Sequence, residues 1–281
     1  MKYLWIFALV AIYSLLGIGA AAEDAPFFFV QISDTQMGFT NNNADMVPEI
    51  VNFKQAVAVI NRLQPAFVLL TGDAINRPHH TTQIRAFWTI VGGISRSIPF
   101  RIVAGNHDVS RGTARDVDSY RRFFGDDHYS FMHNGSDFIV LNSGLFSKDA
   151  DKALRDEQRK WFEAELSSTR ARNASHIFVC AHHPWFLKTP DEADRYENVP
   201  LAYRQDYLDL MKRHKVEYAL AGHLHYDLTV KHGDLTIVAG GPLSKSVAEP
   251  PVVGLRIWRV YKDRIDTQFY ALDKVPASVK L

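Results

Sequence analysis

Five short apolar runs, each followed at once by polar residues that can bind a metal ion, constrain this chain more than any other feature. In an open α/β sheet, ligands bind beyond the carboxyl ends of the strands. If the runs are strands of this kind, the polar residues just past them meet in space, although they span about 190 residues of sequence. The runs begin at Phe27, Phe67, Ile102, Ile177 and Tyr218.

The polar residues that follow the runs offer carboxylates, amides and imidazoles but no thiolate. This mixture suits Mn, Fe, Zn or Co, and it contains too many imidazoles for a calcium site. Seven ligands are more than one four-coordinate ion needs, whereas two ions about 3.5–4 Å apart that share one carboxylate would use them all. Glycines precede three of these residues, and we expect turns there that bring the backbone close to the metal. The candidates are the carboxylates of Asp34 and Asp73, the amides of Gln36 and Asn106, and imidazoles among His182, His183, His223 and His225.

The apolar runs alternate with helical patterns in the first third of the chain. A helix is predicted from Pro48 to just before Pro65, and another near residues 83–91. The resulting β-α-β-α-β order indicates a parallel sheet covered by helices. Further on, Asn134-Gly135 predicts a hairpin turn because both residues tolerate positive φ. Four late strands, from residue 228 to residue 270, are predicted to be antiparallel.

Composition and charge exclude several classes of protein. The 281 residues are 47% hydrophobic and 22% charged, which is ordinary for a folded chain. Lys and Arg number 32 against 31 Asp and Glu, so we expect no nucleic-acid partner and no binding to an anionic membrane. The single cysteine, Cys180, cannot form an internal disulfide. Without repeats or linker-like runs, residues 23–281 are predicted to form one domain.

The first residues are predicted to form a signal peptide rather than part of that domain. Lys2 is followed by an apolar run, and small residues then form an Ala-x-Ala site that ends at Ala22. Cleavage of residues 1–22 predicts an exported protein, periplasmic or secreted, with no membrane attachment. The alternative is an uncleaved N-terminal anchor, since the run approaches the roughly 17 to 25 residues that span a bilayer.

The ordered set of motifs resembles the calcineurin-like metallophosphoesterases over residues 27 to about 240. The first motif differs from the usual Asp-x-His because Gln36 replaces the histidine. This difference is similar to a branch of the family that includes a serine/threonine phosphatase, and Leu141-Asn142-Ser143 and Gln158-x-x-Trp161 also fit that branch. The motifs are Asp34-x-Gln36, Gly72-Asp73-x-x-Asn76, Gly105-Asn106-His107-Asp108, His182-x-Pro184 and Gly222-His223-x-His225.

The resemblance implies an α/β fold arranged as a four-layer α-β-β-α sandwich, and a role for each motif residue. Asp73 would bridge two divalent ions, and an amide at Gln36 would make the first site weaker or suited to a harder ion such as Mn or Mg. His107 would face the scissile phosphate, and Asp108 would hold its ring. The first ion would also bind Asp34, Gln36 and His225, and the second would bind Asn106, His182 and His223.

The predicted reaction is hydrolysis of phosphoesters, most simply phosphate monoesters of a small molecule or a protein. A hydroxide that bridges the metals would attack phosphorus, and His107 would stabilise the transition state or protonate the leaving group. A phosphodiesterase, acting on cyclic nucleotides or glycerophosphodiesters, would use the same metal site. A non-enzymatic scaffold of the same fold is the remaining alternative, and an acid such as His107 beside two metals argues against it.

Overall fold

Two β-sheets form the centre of the fold in the computed structural model, which describes residues 25–172 and 174–281. The predicted signal peptide, residues 1–22, lies outside the described residues. The strands of the described part, in chain order, are β1 (Phe27–Ile32), β2 (Val68–Leu70), β3 (Phe100–Ile102), β4 (Tyr129–His133), β5 (Ser136–Val140), β6 (His176–Cys180), β7 (Tyr218–Ala221), β8 (Leu228–His232), β9 (Leu235–Ala239), β10 (Gly254–Val260) and β11 (Ile265–Ala271).

Helices connect many of these strands, and the predicted ones are confirmed. The first helix has Pro48 in its first turn, and its chain turns into the left-handed region at Gln64, just before Pro65. Two 3₁₀ turns occupy Ser143–Phe146 and Leu272–Lys274. The α-helices of the described part are α1 (Val47–Leu63), α2 (Thr81–Val91), α3 (Asn106–Val109), α4 (Ala114–Phe124), α5 (Lys152–Arg172) and α6 (Leu201–Arg213).

The first sheet has the strand order β11-β10-β1-β2-β3. Its early strands β1, β2 and β3 are parallel, as the β-α-β-α-β pattern predicts. Strand β10 lies antiparallel to β1 and to β11, which forms the edge of the sheet.

The second sheet has the order β4-β5-β6-β7-β9-β8. The Asn134-Gly135 turn joins β4 to β5 in the predicted hairpin. The late strands form the two antiparallel hairpins β8–β9 and β10–β11, as predicted. Strand β9 also lies parallel to β7, which the sequence pattern does not predict. The β8–β9 hairpin folds back so that β9, rather than β8, is the neighbour of β7.

Three apolar cores separate the layers. Side chains alternate along β1, so that Phe29 packs between the sheets and Val30 packs toward the helices. Between the sheets, the Phe29 ring stacks on Trp258, with ring centroids 5.6 Å apart. Helices α1 and α2 cover the outer face of the first sheet, and α5 and α6 cover that of the second. The predicted four-layer α-β-β-α sandwich is confirmed.

The loops after β1, β2, β6 and β7 are joined to one another by backbone hydrogen bonds. The Asp34 amide donates to the Gly72 carbonyl at 3.1 Å, and the Gly222 amide donates to the His182 carbonyl at 2.9 Å. The His223 amide joins the two pairs of loops by donating to Asp34 Oδ2 at 3.1 Å. The strand ends of both sheets therefore meet at one place. None of the helices in the described part of the chain has the length and apolar character needed to span a bilayer.

Candidate metal centre

Three histidines of the predicted site are oriented by backbone carbonyl groups. In each ring, one nitrogen donates to a carbonyl oxygen, so that the other carries the lone pair that a metal requires. The bonds are His182 Nδ1 to Thr71 O at 2.8 Å, His223 Nε2 to Tyr196 O at 3.0 Å and His225 Nδ1 to Lys245 O at 2.7 Å.

Asp73, His182 and His223 form a buried group whose ligand atoms all lie within 4.8 Å of one another. His182 Nε2 lies 3.3 Å from Asp73 Oδ2 and 3.2 Å from His223 Nδ1. Ligands of a tetrahedral ion at about 2.1 Å are about 3.4 Å apart, so this spacing suits one cation. These three residues are predicted ligands of the second ion.

Asp34 and His225, both predicted for the first ion, lie beside this group. His225 Nε2 is 3.5 Å from Asp34 Oδ1, while Asp34 Oδ2 accepts hydrogen bonds from the Ser33 hydroxyl and the His223 amide. Only Oδ1 of this carboxylate is left for another partner. Asp34 and His225 are thus neighbours of each other and of the Asp73, His182 and His223 group.

Three buried oxygen atoms of the predicted ligands have no hydrogen-bond partner among the described residues. A buried acceptor without a partner costs roughly 1–3 kcal/mol, so such atoms are rare unless they bind something else. The atoms are Asp34 Oδ1, Gln36 Oε1 and Asn106 Oδ1. Oxygens of this kind fit divalent cations, and the donor set therefore fits the predicted metals.

Burial and mutual charge interactions together set the ionisation of the second-site residues. Burial alone would raise the pKa of Asp73, but the neighbouring His182 ring outweighs burial and holds that pKa well below its usual range. Burial lowers the pKa of His223 to about 3, which leaves its ring neutral. For His182, burial is outweighed by Asp73, and the pKa rises to about 9. A bound cation would displace the His182 proton, since metal binding requires the neutral imidazole.

Five of the seven predicted ligands have backbone conformations in the left-handed region. Residues other than glycine seldom adopt positive φ, and such strain concentrates at functional sites. The φ angles are 49° at Asp34, 34° at Gln36, 54° at Asp73, 70° at His223 and 57° at His225.

The glycines of the motifs make room for neighbouring side chains of the site. At Gly72, with a φ of 96°, a Cβ atom would lie 2.3 Å from His182 Nδ1. At Gly105, a Cβ atom would lie 2.1 Å from Asp73 Oδ1. At these two turns, the absence of a Cβ atom leaves room for residues that would bind the metal.

His107 lies next to the candidate ligands and is itself partly exposed. Its amide donates to Asp73 Oδ1 at 2.9 Å, and its ring Nδ1 donates to the Asn76 carbonyl at 2.8 Å. The predicted contact between Asp108 and the His107 ring is wrong, because the Asp108 carboxylate is turned toward three backbone amides. These belong to Gly105 at 2.9 Å and to Ala74 and Ile75, both at 3.2 Å. Asp108 therefore holds the loop after β2 against α3.

Burial raises the pKa of Asp108 to about 7, and the nearby Asp73 carboxylate adds to this effect. His183, which is not among the ligands that the resemblance implies, shares a hydrogen bond of 2.8 Å with Ser143 Oγ. Sequence reasoning missed Tyr196, which contacts two of the predicted ligands. Tyr196 lies in an aperiodic polar segment, and no sequence pattern there indicates the contact.

Comparison with known proteins identifies the class to which this fold and site belong. The chain is a member of the calcineurin-like phosphoesterase family, whose profile matches residues 29–227. It is thus a metal-dependent phosphoesterase, a hydrolase.

Particular relatives agree with this class. The chain is 32% identical to serine/threonine-protein phosphatase CPPED1 of Rattus norvegicus, over 89% of this chain and 85% of that one. It is 26% identical to a probable glycerophosphodiester phosphodiesterase GpdQ of Arcobacter nitrofigilis, over 82% and 88% of the two chains. The fold is similar to that of a dimetal phosphatase from Danio rerio, with a TM-score of 0.69, 15% identity and coverage of 88% and 96%.

Proposed function

We propose that this phosphoesterase hydrolyses phosphate monoesters, and that its substrate is a phosphoprotein or a phosphorylated small molecule. The observation that carries the proposal is the placement of His107, which is fixed by two hydrogen bonds beside the candidate metal ligands. The relatives named as serine/threonine phosphatases support a monoester substrate.

The metal ligands would be divided between two ions of Mn, Fe, Zn or Co. When bound, such ions supply Lewis-acid activation of water and neutralise the charge of the phosphate group. The chain's own part is to hold the imidazoles and carboxylates in place before the substrate arrives. Asp73 would bridge the two ions. One ion would also bind Asp34, Gln36 and His225, and the other would also bind Asn106, His182 and His223.

His107 would act on the leaving group. Because Nδ1 donates to the Asn76 carbonyl, the proton that the ring exchanges is at Nε2. A protonated Nε2 can donate to the ester oxygen as its bond to phosphorus breaks. A cavity of about 260 Å³ adjoins Asn106 and provides space for the esterified group.

The test of this role compares two leaving groups in His107→Ala. Turnover should fall by a factor on the order of 10² to 10⁴, the usual contribution of a positioned acid. The loss should be small for nitrophenyl phosphate, whose leaving group departs without a proton, and large for phosphoserine. Elemental analysis should find the two ions retained, since no ligand atom is removed.

A matched control separates catalysis from metal binding. Asp73→Asn should lose both ions and all activity, whereas His107→Ala should lose only activity. Equal losses on both substrates would assign His107 to charge stabilisation alone, and an unchanged rate with both ions present would refute its placement.

The diesterase relative makes the matching diester the second substrate to test. Hydrolysis of bis-nitrophenyl phosphate with a higher kcat/KM than nitrophenyl phosphate would reverse the proposed preference and leave the metal assignment intact.

A further inference from the structure

A segment without helix or strand crosses the candidate metal centre between β6 and α6. We call residues 187–200 the strap. The Glu192 carboxylate closes it by accepting bonds from the Leu187 and Lys188 amides, both at 2.8 Å, and from Asn198 Nδ2 at 2.7 Å. The side-chain oxygen of Asn198 in turn accepts a hydrogen bond from the Arg195 amide at 2.9 Å. The strap is therefore held by its own polar side chains.

A buried arginine of α6 fixes the strap to the domain. Arg204 is fully buried, and its Nε donates to the Val199 carbonyl at 2.8 Å. Its Nη1 donates to the carbonyls of Pro190 and Glu192 at 3.0 and 2.7 Å. A guanidinium offers five donors in a rigid fork, so these bonds fix both ends of the strap relative to α6.

Tyr196, in the middle of the strap, touches two ligands predicted for the second ion. Its hydroxyl accepts a hydrogen bond from Asn106 Nδ2 at 3.1 Å, and its carbonyl accepts one from His223 Nε2 at 3.0 Å. Its ring lies 4.7 Å from the His223 ring, between centroids. Although Tyr196 is 69% exposed, it has three contacts with the site.

We infer that Tyr196 is a positioning residue that sets the affinity of the second metal site. An amide can turn by 180° and exchange its oxygen for its nitrogen. In the observed orientation, Asn106 Nδ2 donates to the Tyr196 hydroxyl, and Asn106 Oδ1 on the other side of the amide is left as a buried acceptor for the ion. The Tyr196 carbonyl accepts a hydrogen bond from His223 Nε2, and this bond keeps Nδ1 of the same ring as the ligand atom.

This inference rests on the metal site of the proposed function, and it concerns metal binding rather than hydrolysis. Tyr196→Phe removes only the hydroxyl and keeps both the ring and the carbonyl. The metal-free protein is titrated with Mn²⁺, and bound Mn²⁺ is followed by electron paramagnetic resonance. Loss of an outer partner usually weakens metal binding by about 10- to 100-fold, and we expect about tenfold at the second site with the first unchanged.

The control is Tyr203→Phe, because this tyrosine of α6 lies just beyond the strap, where its amide donates to the Pro200 carbonyl at 3.0 Å and its ring stacks on Phe146. It should bind Mn²⁺ as the parent protein does. The lost turnover of Tyr196→Phe should return at saturating Mn²⁺.

Unchanged Mn²⁺ binding in Tyr196→Phe would overturn the inference. A raised KM with unaltered Mn²⁺ affinity would also overturn it, and would make Tyr196 a substrate contact instead. If no phosphoester is hydrolysed, the proposed function fails, but the Mn²⁺ titration still decides the role of Tyr196.

Discussion

Gln36 occupies the position at which the family usually has histidine, and its side chain is buried beside the other ligands. Since Gln36 Oε1 has no hydrogen-bond partner among the described residues, we expect it to bind the first ion. Gln36→Ala should lower the occupancy of that ion and leave the second in place. Gln36→His should increase zinc retention there, because imidazole is the stronger ligand for that metal. Elemental analysis after dialysis against a weak chelator measures both effects.

Loss of both ions in Gln36→Ala would contradict the separate assignment of Gln36 to the first site. An unchanged metal content in both variants would remove Gln36 from the ligand set.

The candidate ligands were accessible to sequence reasoning because most of them lie within a few residues of the end of a strand. An apolar run fixes the strand, and the next polar residue then has only a few positions to occupy, as with Asp34 after β1. Contacts set by distant parts of the chain were not accessible. The position of Tyr196 depends on Arg204 and Glu192, and Asp108 faces backbone amides that carry no sequence signature.

At the scale of elements, the turn after β2 depends on Gly72. Alanine at a φ near 96° is strained by roughly 1–2 kcal/mol, and its Cβ would also collide with His182. Gly125, which ends α4 with a φ of 98°, has no atom within 4 Å of such a Cβ and is a matched control. Both Gly72→Ala and Gly125→Ala should lower the free energy of unfolding, measured by denaturant titration. Only Gly72→Ala should also lower the metal content.

An equal metal content in the two glycine variants would mean that His182 can move without losing its ion. A larger loss of metal in Gly125→Ala would contradict the placement of the site.

The loop between α4 and β4 is held by the buried carboxylate of Asp127. It accepts from Arg121 Nε at 2.8 Å and from Asn142 Nδ2 at 2.9 Å, and His128 Nδ1 lies 3.3 Å away. Burial alone would raise the pKa of Asp127, but the nearby His128 ring and the hydrogen bonds from Asn142 and Arg121 together outweigh burial and lower the pKa to about 2.

The lowered pKa of Asp127 predicts a specific loss of stability in acid. As the pH falls from about 4 to about 2, the unfolded chain takes up the proton before the folded one, so the stabilisation is lost. The loss should be on the order of 2 kcal/mol in the free energy of unfolding. Asp127→Asn should be less stable at neutral pH and should lack this part of the acid dependence. Asp126→Asn, at an exposed neighbouring position, should behave as the parent protein does.

The strands and helices were predicted more completely than their pairing. Residue patterns record which faces are apolar, so β1 and β7 begin at the predicted residues, Phe27 and Tyr218. Whether a neighbouring strand runs parallel or antiparallel leaves no such pattern in the sequence. The parallel contact of β9 with β7 depends on how the whole β8–β9 hairpin folds back, which local sequence does not specify.

At the scale of the whole molecule, we propose that the chain is exported after cleavage behind Ala22. The short basic start, the apolar run and the Ala-x-Ala site together support this. Sequencing of the native protein should find Glu23 at the N-terminus, and fractionation should recover the protein outside the cytoplasm. A native N-terminus at Met1 or Lys2 would instead support the uncleaved anchor.

The pairing of β1 with β10 also sets the order in which the molecule can fold. It joins Phe27 to Val260, residues about 230 positions apart, and such distant contacts form only after a long stretch of chain has been closed into a loop. During synthesis, β1 is made long before β10, so one side of β1 has no neighbour until β10 has been made. The first sheet therefore cannot be completed on a partial chain. The export proposed above would benefit from this delay, because the first sheet closes only after β10 has been made.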